Sequence, residues 1–274
     1  MTRLRSKDVN NIITDLYQYD MELKRTTGLK LEEMALLVSG REHVGLKRED
    51  KPPVFIVPLT TGEGIIGGFA ETIAGIARYL GFEAKVTLRP DVAGLGEAFS
   101  ANPGITMLAD DCDFIAVNTI NYSIVDNSRA TGEIYAIALE LMVGSLDAQE
   151  VLLLGAGRVG QAAALKMVGR GAHIKVFDID KEAAASLTYR IEEICPGAAA
   201  TVDNLEKALD SCRLLFDASP AINILKPRHF KKDLFISSPG MPLCLPGDFY
   251  QQLRERLVHD PLQLGVAAMI CQVL

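Results

Sequence analysis

The stretch Val151-Leu152-Leu153-Leu154-Gly155-Ala156-Gly157-Arg158-Val159-Gly160 decides the fold of this chain. Four apolar residues read as a buried parallel strand, and three glycines at G-x-G-x-x-G spacing follow it. The first glycine permits the tight turn, the second lets backbone approach a pyrophosphate, and the third lets the next helix pack on the strand. Phosphate then meets a helix N-terminus, whose free N–H groups and dipole favour an anion. A second apolar run, His173-Ile174-Lys175-Val176-Phe177, ends in Asp178, placed to accept hydrogen bonds from ribose hydroxyls. A carboxylate there repels a 2'-phosphate, so NAD is expected over NADP, and Lys181 alone does not reverse that.

The alternation continues outward. Beyond the motif we expect helices at 158–169 and 181–193, strands near 199–202, 213–216, 234–237 and 257–258, and helices at 203–209, 246–256 and 263–273. This is a doubly wound parallel sheet, and its ligand crevice lies at the carboxyl ends of its strands. Ala218-Ser219-Pro220 and Ser237-Ser238-Pro239-Gly240 then flank the cofactor, unless they are ordinary strand-to-helix turns. The cofactor residues expected are Gly155, Gly157, Arg158, Val159, Gly160, Asp178, Ser219, Pro220, Pro239 and Gly240.

More than half the chain precedes this motif. It reads as a helix from Ser6 toward Lys24 with a stripe of Val9, Ile12, Ile13, Leu16 and Tyr17, stopped by Gly28. A helical stretch at 30–38, a surface loop at 39–53, a strand at 54–57 and a helix at 65–80 follow. Then come a strand at 84–88, a helix at 92–99, a strand at 105–108 and a linking helix at 132–143. The expected class is α/β: an N-terminal helical plus α/β substrate domain (1–144) and a C-terminal Rossmann domain (145–274).

With 274 residues and 49% hydrophobic content the chain can bury two cores of ordinary size. A net charge of -7 and pI near 5.2 argue against a nucleic-acid partner. The five cysteines are odd in number and never form CxxC, so they read as buried thiols in a reducing cytoplasm. His43, His173, His229 and His259 lack ligand spacing, so no metal is expected. No signal peptide and no run near ~18 apolar residues is present, so no membrane partner is expected. A homodimer is the base-rate expectation.

Substrate chemistry requires polar groups in the N-terminal half. Thr60-Thr61-Gly62-Glu63-Gly64 either grips a polar headgroup or caps the following helix. Asp110-Asp111-Cys112-Asp113, directly after a strand, either binds an ammonium group or forms a solvated acidic turn. A partly buried acid there is a candidate base with a raised pKa. Asn127 lies in a polar stretch, Asp126-Asn127-Ser128-Arg129, and bonds substrate or shapes a turn. His259 is a candidate proton shuttle and Asp260 a candidate strand-end cap or amine anchor.

Several longer segments carry a family resemblance. Arg25-Thr26-Thr27-Gly28-Leu29, the run Val57 to Gly67 (VPLTTGEGIIG), Met107-Leu108-Ala109-Asp110-Asp111, Thr131-Gly132-Glu133-Ile134-Tyr135-Ala136 and Ser238-Pro239-Gly240-Met241-Pro242 resemble the pyrrolysine synthase (PylD) family. The resemblance covers nearly the whole chain. It implies NAD-dependent oxidation of the terminal amine of 3-methyl-D-ornithyl-N6-L-lysine, loss of ammonia and closure of a pyrroline ring. It also implies catalytic roles for Asp110, Thr61 and Asn127, and substrate contacts from these together with Leu4 and Asp260. Leu4 falls in an N-terminal helix that closes on substrate. Thr61 stands where a serine can occur, and Asp260 replaces a glutamate. A dehydrogenase of another amine, or an NAD-sensing regulator, are the competing readings.

Overall fold

The computed structural model describes residues 4–41, 47–102, 104–246 and 249–274. Two sheets organise the chain. The first runs β2 (Ala84–Val86), β1 (Val54–Pro58), β3 (Ile105–Ala109), β4 (Phe114–Asn118), β5 (Ile124–Asp126). β2, β1 and β3 are parallel, and β4 is antiparallel to both β3 and β5. The second sheet is wholly parallel, in the order β11 (Leu257–Val258), β10 (Phe235–Ser237), β9 (Leu214–Asp217), β6 (Glu150–Leu154), β7 (His173–Phe177), β8 (Ala199–Thr201). Read from β6 this is the dinucleotide-binding strand order, with the switch point between β6 and β9.

β4 and β5 were not anticipated. The short apolar run Phe114-Ile115-Ala116-Val117, bounded by Asp113 and Asn118, is the signal that could have found β4. The expected helix from Ser6 is instead α1 (Ser6–Val9) and α2 (Ile12–Thr27), broken at Asn10-Asn11. The buried face runs through Val9, Ile12, Leu16, Leu23 and Thr27, whereas Ile13 and Tyr17 of the expected stripe stand at 44% and 67% exposure. α3 (Leu31–Val38) follows as expected. Part of the expected 39–53 loop, with His43, lies outside the described residues.

Three further helices start or end differently from expectation. α4 (Phe69–Tyr79) begins after Gly68, so residues 59–68 form a loop, and its glycines 62, 64 and 68 all take positive φ. α5 spans Asp91–Ala101. α6 (Asn127–Val143) starts five residues early because the Asp126 carboxylate caps it, accepting from Arg129 N at 3.1 Å. In the cofactor half α7 (Arg158–Val168), α8 (Lys181–Ile194) and α9 (Leu205–Ser211) flank the sheet. The expected helix at 246–256 shrinks to α10 (Tyr250–Leu253).

The two halves interlock. α6 packs along α7, where a Cβ at Gly132 would stand 2.4 Å from Val159 O, so only glycine permits this approach. The almost wholly buried final helix, α11 (Gln263–Val273), returns to pack on α3, α4 and α6. There Asn118 Nδ2 donates to Val273 O at 3.0 Å. Cys112 and Cys195 are exposed, against the expectation of buried thiols, whereas Cys212, Cys244 and Cys271 are buried. Among the described residues no helix is long and apolar enough to cross a membrane, and no three His, Cys, Asp or Glu group to hold a metal.

Candidate active site

A cleft with a cavity volume of about 200 Å³ opens where the carboxyl ends of both sheets face one another. Leu4, Thr61, Asp110, Asn127 and Asp260 all line it, as do Val159, Ser219, Pro239 and Gly240 from the cofactor half. These residues span almost the whole sequence, and the fold gathers them at one place. Leu4 sits in the extended residues just ahead of α1 rather than within a helix. Pro220 and His259 do not line the cleft.

Backbone clearance explains the glycine loop. Gly155 holds φ 93°, and a Cβ at Gly160 would stand 1.9 Å from Gly155 O, so helix and strand pack too closely for any side chain. A Cβ at Gly157 would meet nothing within 4 Å, which leaves open space above the N-terminus of α7, the cradle a pyrophosphate needs. Asp178 stands beside it: its Oδ2 accepts from Ala156 N at 2.6 Å and its Oδ1 from Asp180 N at 2.9 Å. Each oxygen keeps further acceptor capacity for a ribose hydroxyl. Arg158 pairs with Asp113 (2.6 Å) and Asp126 (2.7 Å), tying the glycine loop to the N-terminal half.

The loops after β9 and β10 are not strand-to-helix turns. They are joined from beneath by Asp217, which is fully buried and absent from the sequence reading. Its carboxylate accepts from Ser219 Oγ (2.7 Å), Ser219 N (3.1 Å) and Ser238 Oγ (3.2 Å), while Gly240 N donates to Asp217 O at 3.0 Å. Burial pushes the Asp217 carboxyl above the usual range despite these donors. Nearby, His259 Nδ1 lies 2.7 Å from Ser238 O, and burial lowers its pKa, so the neutral ring is favoured.

In the substrate half, Thr61 lies well outside α4, whose N-cap is Gly68, so the helix-capping role does not apply to it. Asp111 holds this loop to the acid loop, its Oδ2 accepting from Glu63 N at 2.7 Å. Asp110 is exposed, and its Oδ1 accepts from Asp113 N and Cys112 N, both at 2.8 Å. Those two bonds hold its pKa below the ordinary value, which corrects the expectation of a raised one: Asp110 is a persistent anion.

Asn127 opens α6, where it is buried and receives the Thr131 hydroxyl on Oδ1 at 3.3 Å. Asn127, Thr131 and Tyr135, four residues apart, form one helical stripe along the cleft. Thr131 and Tyr135 were missed as site residues, and that spacing was the available signal. Asp260 is buried. Its Oδ2 accepts from Tyr19 and Tyr135 hydroxyls (2.7 and 2.8 Å) and its Oδ1 from Leu262 N and Leu264 N (2.9 and 3.2 Å).

The described lining contains three carboxylates, Asp110, Asp111 and Asp260, and no Lys, Arg or His. Ile65, Ile66, Phe69, Ile73, Met107 and Phe114 supply an apolar wall, with the Phe69 and Phe114 rings edge-on at 5.7 Å. Such a cleft suits an aliphatic chain bearing ammonium groups, beside a nucleotide.

Comparison with known proteins bears on the fold and the family. Quinate dehydrogenase from Corynebacterium glutamicum in complex with NAD superposes with a TM-score of 0.53 at 13% identity, over 81% of this chain and 93% of its own. Shikimate 5-dehydrogenase from Thermus thermophilus in complex with NADP(H) and shikimate gives 0.51 at 17% identity, over 80% and 91%. These two establish the fold alone. Residues 8–125 match the family described as pyrrolysine biosynthesis protein PylD, N-terminal domain. Pyrrolysine synthase of Methanosarcina acetivorans is 32% identical over 275 residues, covering 100% of both chains. That of Methanosarcina barkeri is 30% identical over 275 residues, covering 100% of this chain and 98% of its own. Identity at this level, sustained from end to end, settles the family: the chain belongs to the pyrrolysine synthases.

Proposed function

We propose that this chain oxidises the terminal amine of 3-methyl-D-ornithyl-N6-L-lysine to an imine, using NAD. Ammonia loss and condensation with the ornithine α-amine then close the pyrroline ring to give pyrrolysine. The observation that carries this reading is a cleft whose described lining holds three carboxylates and no Lys, Arg or His, beside an apolar wall and the glycine loop. Residues 1–144 supply the substrate wall and residues 145–274 the cofactor wall, with Asp260 and Gly265 of the second segment also reaching the substrate side.

Gly155, Gly157, Arg158, Val159 and Gly160 would hold the pyrophosphate, Asp178 the adenosine ribose, and Ser219, Pro220, Pro239 and Gly240 the nicotinamide side. Bound NAD supplies the hydride acceptor. The chain supplies the rest. Asp110, held ionised by the N–H groups of Asp113 and Cys112, anchors the ammonium at the cleft mouth. Thr61 and Asn127 orient the polar groups, and Leu4 closes the cleft against water. Only the neutral amine releases hydride, so a proton must leave first. The route runs past exposed Asp110 and Asp111 to solvent.

Mixing protein, NAD and 3-methylornithyl-lysine should produce NADH together with a product of pyrrolysine mass. NAD binding without NADH formation would instead favour another amine or a sensor. Asp178→Ala should weaken NAD binding about tenfold and narrow the preference over NADP, measured by titration with each nucleotide.

The pH profile follows from the same groups. Asp110 has a depressed pKa, so its anchoring charge is present above the ordinary carboxylate value and is lost only below it, under about pH 4. The substrate amine, with a pKa near 10 when free, limits the rate from the other side. The value of kcat/KM should therefore rise steadily from pH 6 to 9, with no inflection between 4 and 6 from Asp110. An inflection in that window that disappears in Asp110→Asn would overturn the assignment.

A further inference from the structure

Asp260 lines the cleft, yet its carboxylate is already satisfied. The four donors are the hydroxyls of Tyr19 and Tyr135 and the N–H groups of Leu262 and Leu264, and a carboxylate has about four acceptor sites. Tyr135 is itself locked, accepting from Asp260 N at 2.9 Å while donating to the carboxylate. The two N–H groups belong to the entry of α11. The fourth donor comes from a different place: Tyr19 sits on α2, 241 residues away in sequence, and does not line the cleft.

α2 has other anchors, but they point elsewhere. Asp20 accepts from Leu31 N (2.6 Å) and Tyr79 OH (2.7 Å), and Glu22 pairs with Arg254. Of these contacts only Tyr19 to Asp260 reaches a residue of the cleft wall. The segment that α2 carries ahead of it includes α1 and Leu4, which lines the cleft. Burial and the neighbouring Asp260 raise the pKa values of Tyr19 and Tyr135 well above the usual tyrosine value, so both stay neutral donors.

We infer that Asp260 is a positioning residue rather than an amine ligand, and that the Tyr19–Asp260 hydrogen bond ties the N-terminal helical arm to the substrate wall. Tyr19, one residue behind the cleft wall, thereby governs how well the cleft closes on its substrate. The inference rests on the proposed amine-oxidising activity for its kinetic consequence, but not for its structural one.

The test uses the full chain with Tyr19→Phe, which removes one hydroxyl, alongside Asp260→Asn and Asp260→Glu. Amide hydrogen exchange across residues 4–27 is followed without substrate, NADH affinity by fluorescence, and kcat and KM with 3-methylornithyl-lysine. Tyr19→Phe should speed exchange in α1 and α2 about tenfold and raise KM about tenfold, with kcat and NADH affinity within twofold of the parent. Asp260→Asn should do the same, and Asp260→Glu should restore part of the protection. A rise in KM with Asp260→Asn but not Tyr19→Phe would make Asp260 a direct substrate ligand and overturn the inference. So would unchanged exchange in Tyr19→Phe. Should the parent protein turn over no amine, the activity proposal falls, and the exchange measurement still decides the tie.

Discussion

Gly160→Ala should weaken NAD binding at least about a hundredfold, roughly 2.8 kcal/mol, while leaving the protein folded. A Cβ at this position would stand 1.9 Å from Gly155 O, a backbone atom of the phosphate loop. No side-chain rotation relieves that contact; the start of α7 must retreat from the strand. The N–H groups at the helix N-terminus then move off the pyrophosphate, and both their hydrogen bonds and the dipole contribution weaken. Gly157→Ala is the control: its Cβ would meet no protein atom within 4 Å, so the free protein tolerates it, and any loss of affinity comes from crowding the nucleotide itself. Isothermal titration of both variants, with melting temperatures alongside, checks the pair. Equal affinity of Gly160→Ala and the parent would show that the loop is not the phosphate cradle.

Asp110→Asn carries the second large effect. Asparagine keeps an Oδ1 acceptor for Cys112 N and Asp113 N, so the turn is preserved and only the charge is removed. A hydrogen bond to a charged group contributes about 1.5–3 kcal/mol, which predicts a ten- to hundredfold fall in kcat/KM. NADH affinity should stay within twofold, because the glycine loop and Asp178 are untouched. A matching loss in cofactor affinity would undo the division between a substrate wall and a cofactor wall. Parallel measurement of Asp178→Ala, whose loss falls on the nucleotide, gives the contrasting pattern.

The legible and illegible parts of the site differ in how far apart their residues lie. The strand, glycine turn and helix start were readable because they are contiguous, and Gly155 and Gly160 each answer a local steric demand. Asp178 was readable because the next strand fixes its distance from the loop. Thr61 and Asp110 were recognisable as polar groups at strand ends. Their settings were not: the helix expected to use Thr61 as a cap starts at Phe69, and Asp110 bonds its own turn instead of being buried. Polar residues ahead of α6 hid its true start, because Asp126 and Asn127 read as loop until the cap geometry is seen. Tyr135 and Thr131 were hidden with it.

By itself the sequence determined the α/β class, the second, parallel sheet, the glycine turn that opens α7 and the family resemblance, since each is written in local periodicity or contiguous motif. Only the tertiary structure decided that β4 and β5 complete the first sheet and that α11 returns to the N-terminal half. It also decided that Asp217 joins two loops from below, and that Tyr19 meets Asp260. The physical reason is burial. A carboxylate's partners and pKa depend on which donors are brought to it and how much water is removed, and residues hundreds of positions apart acquire those relations only when the chain packs.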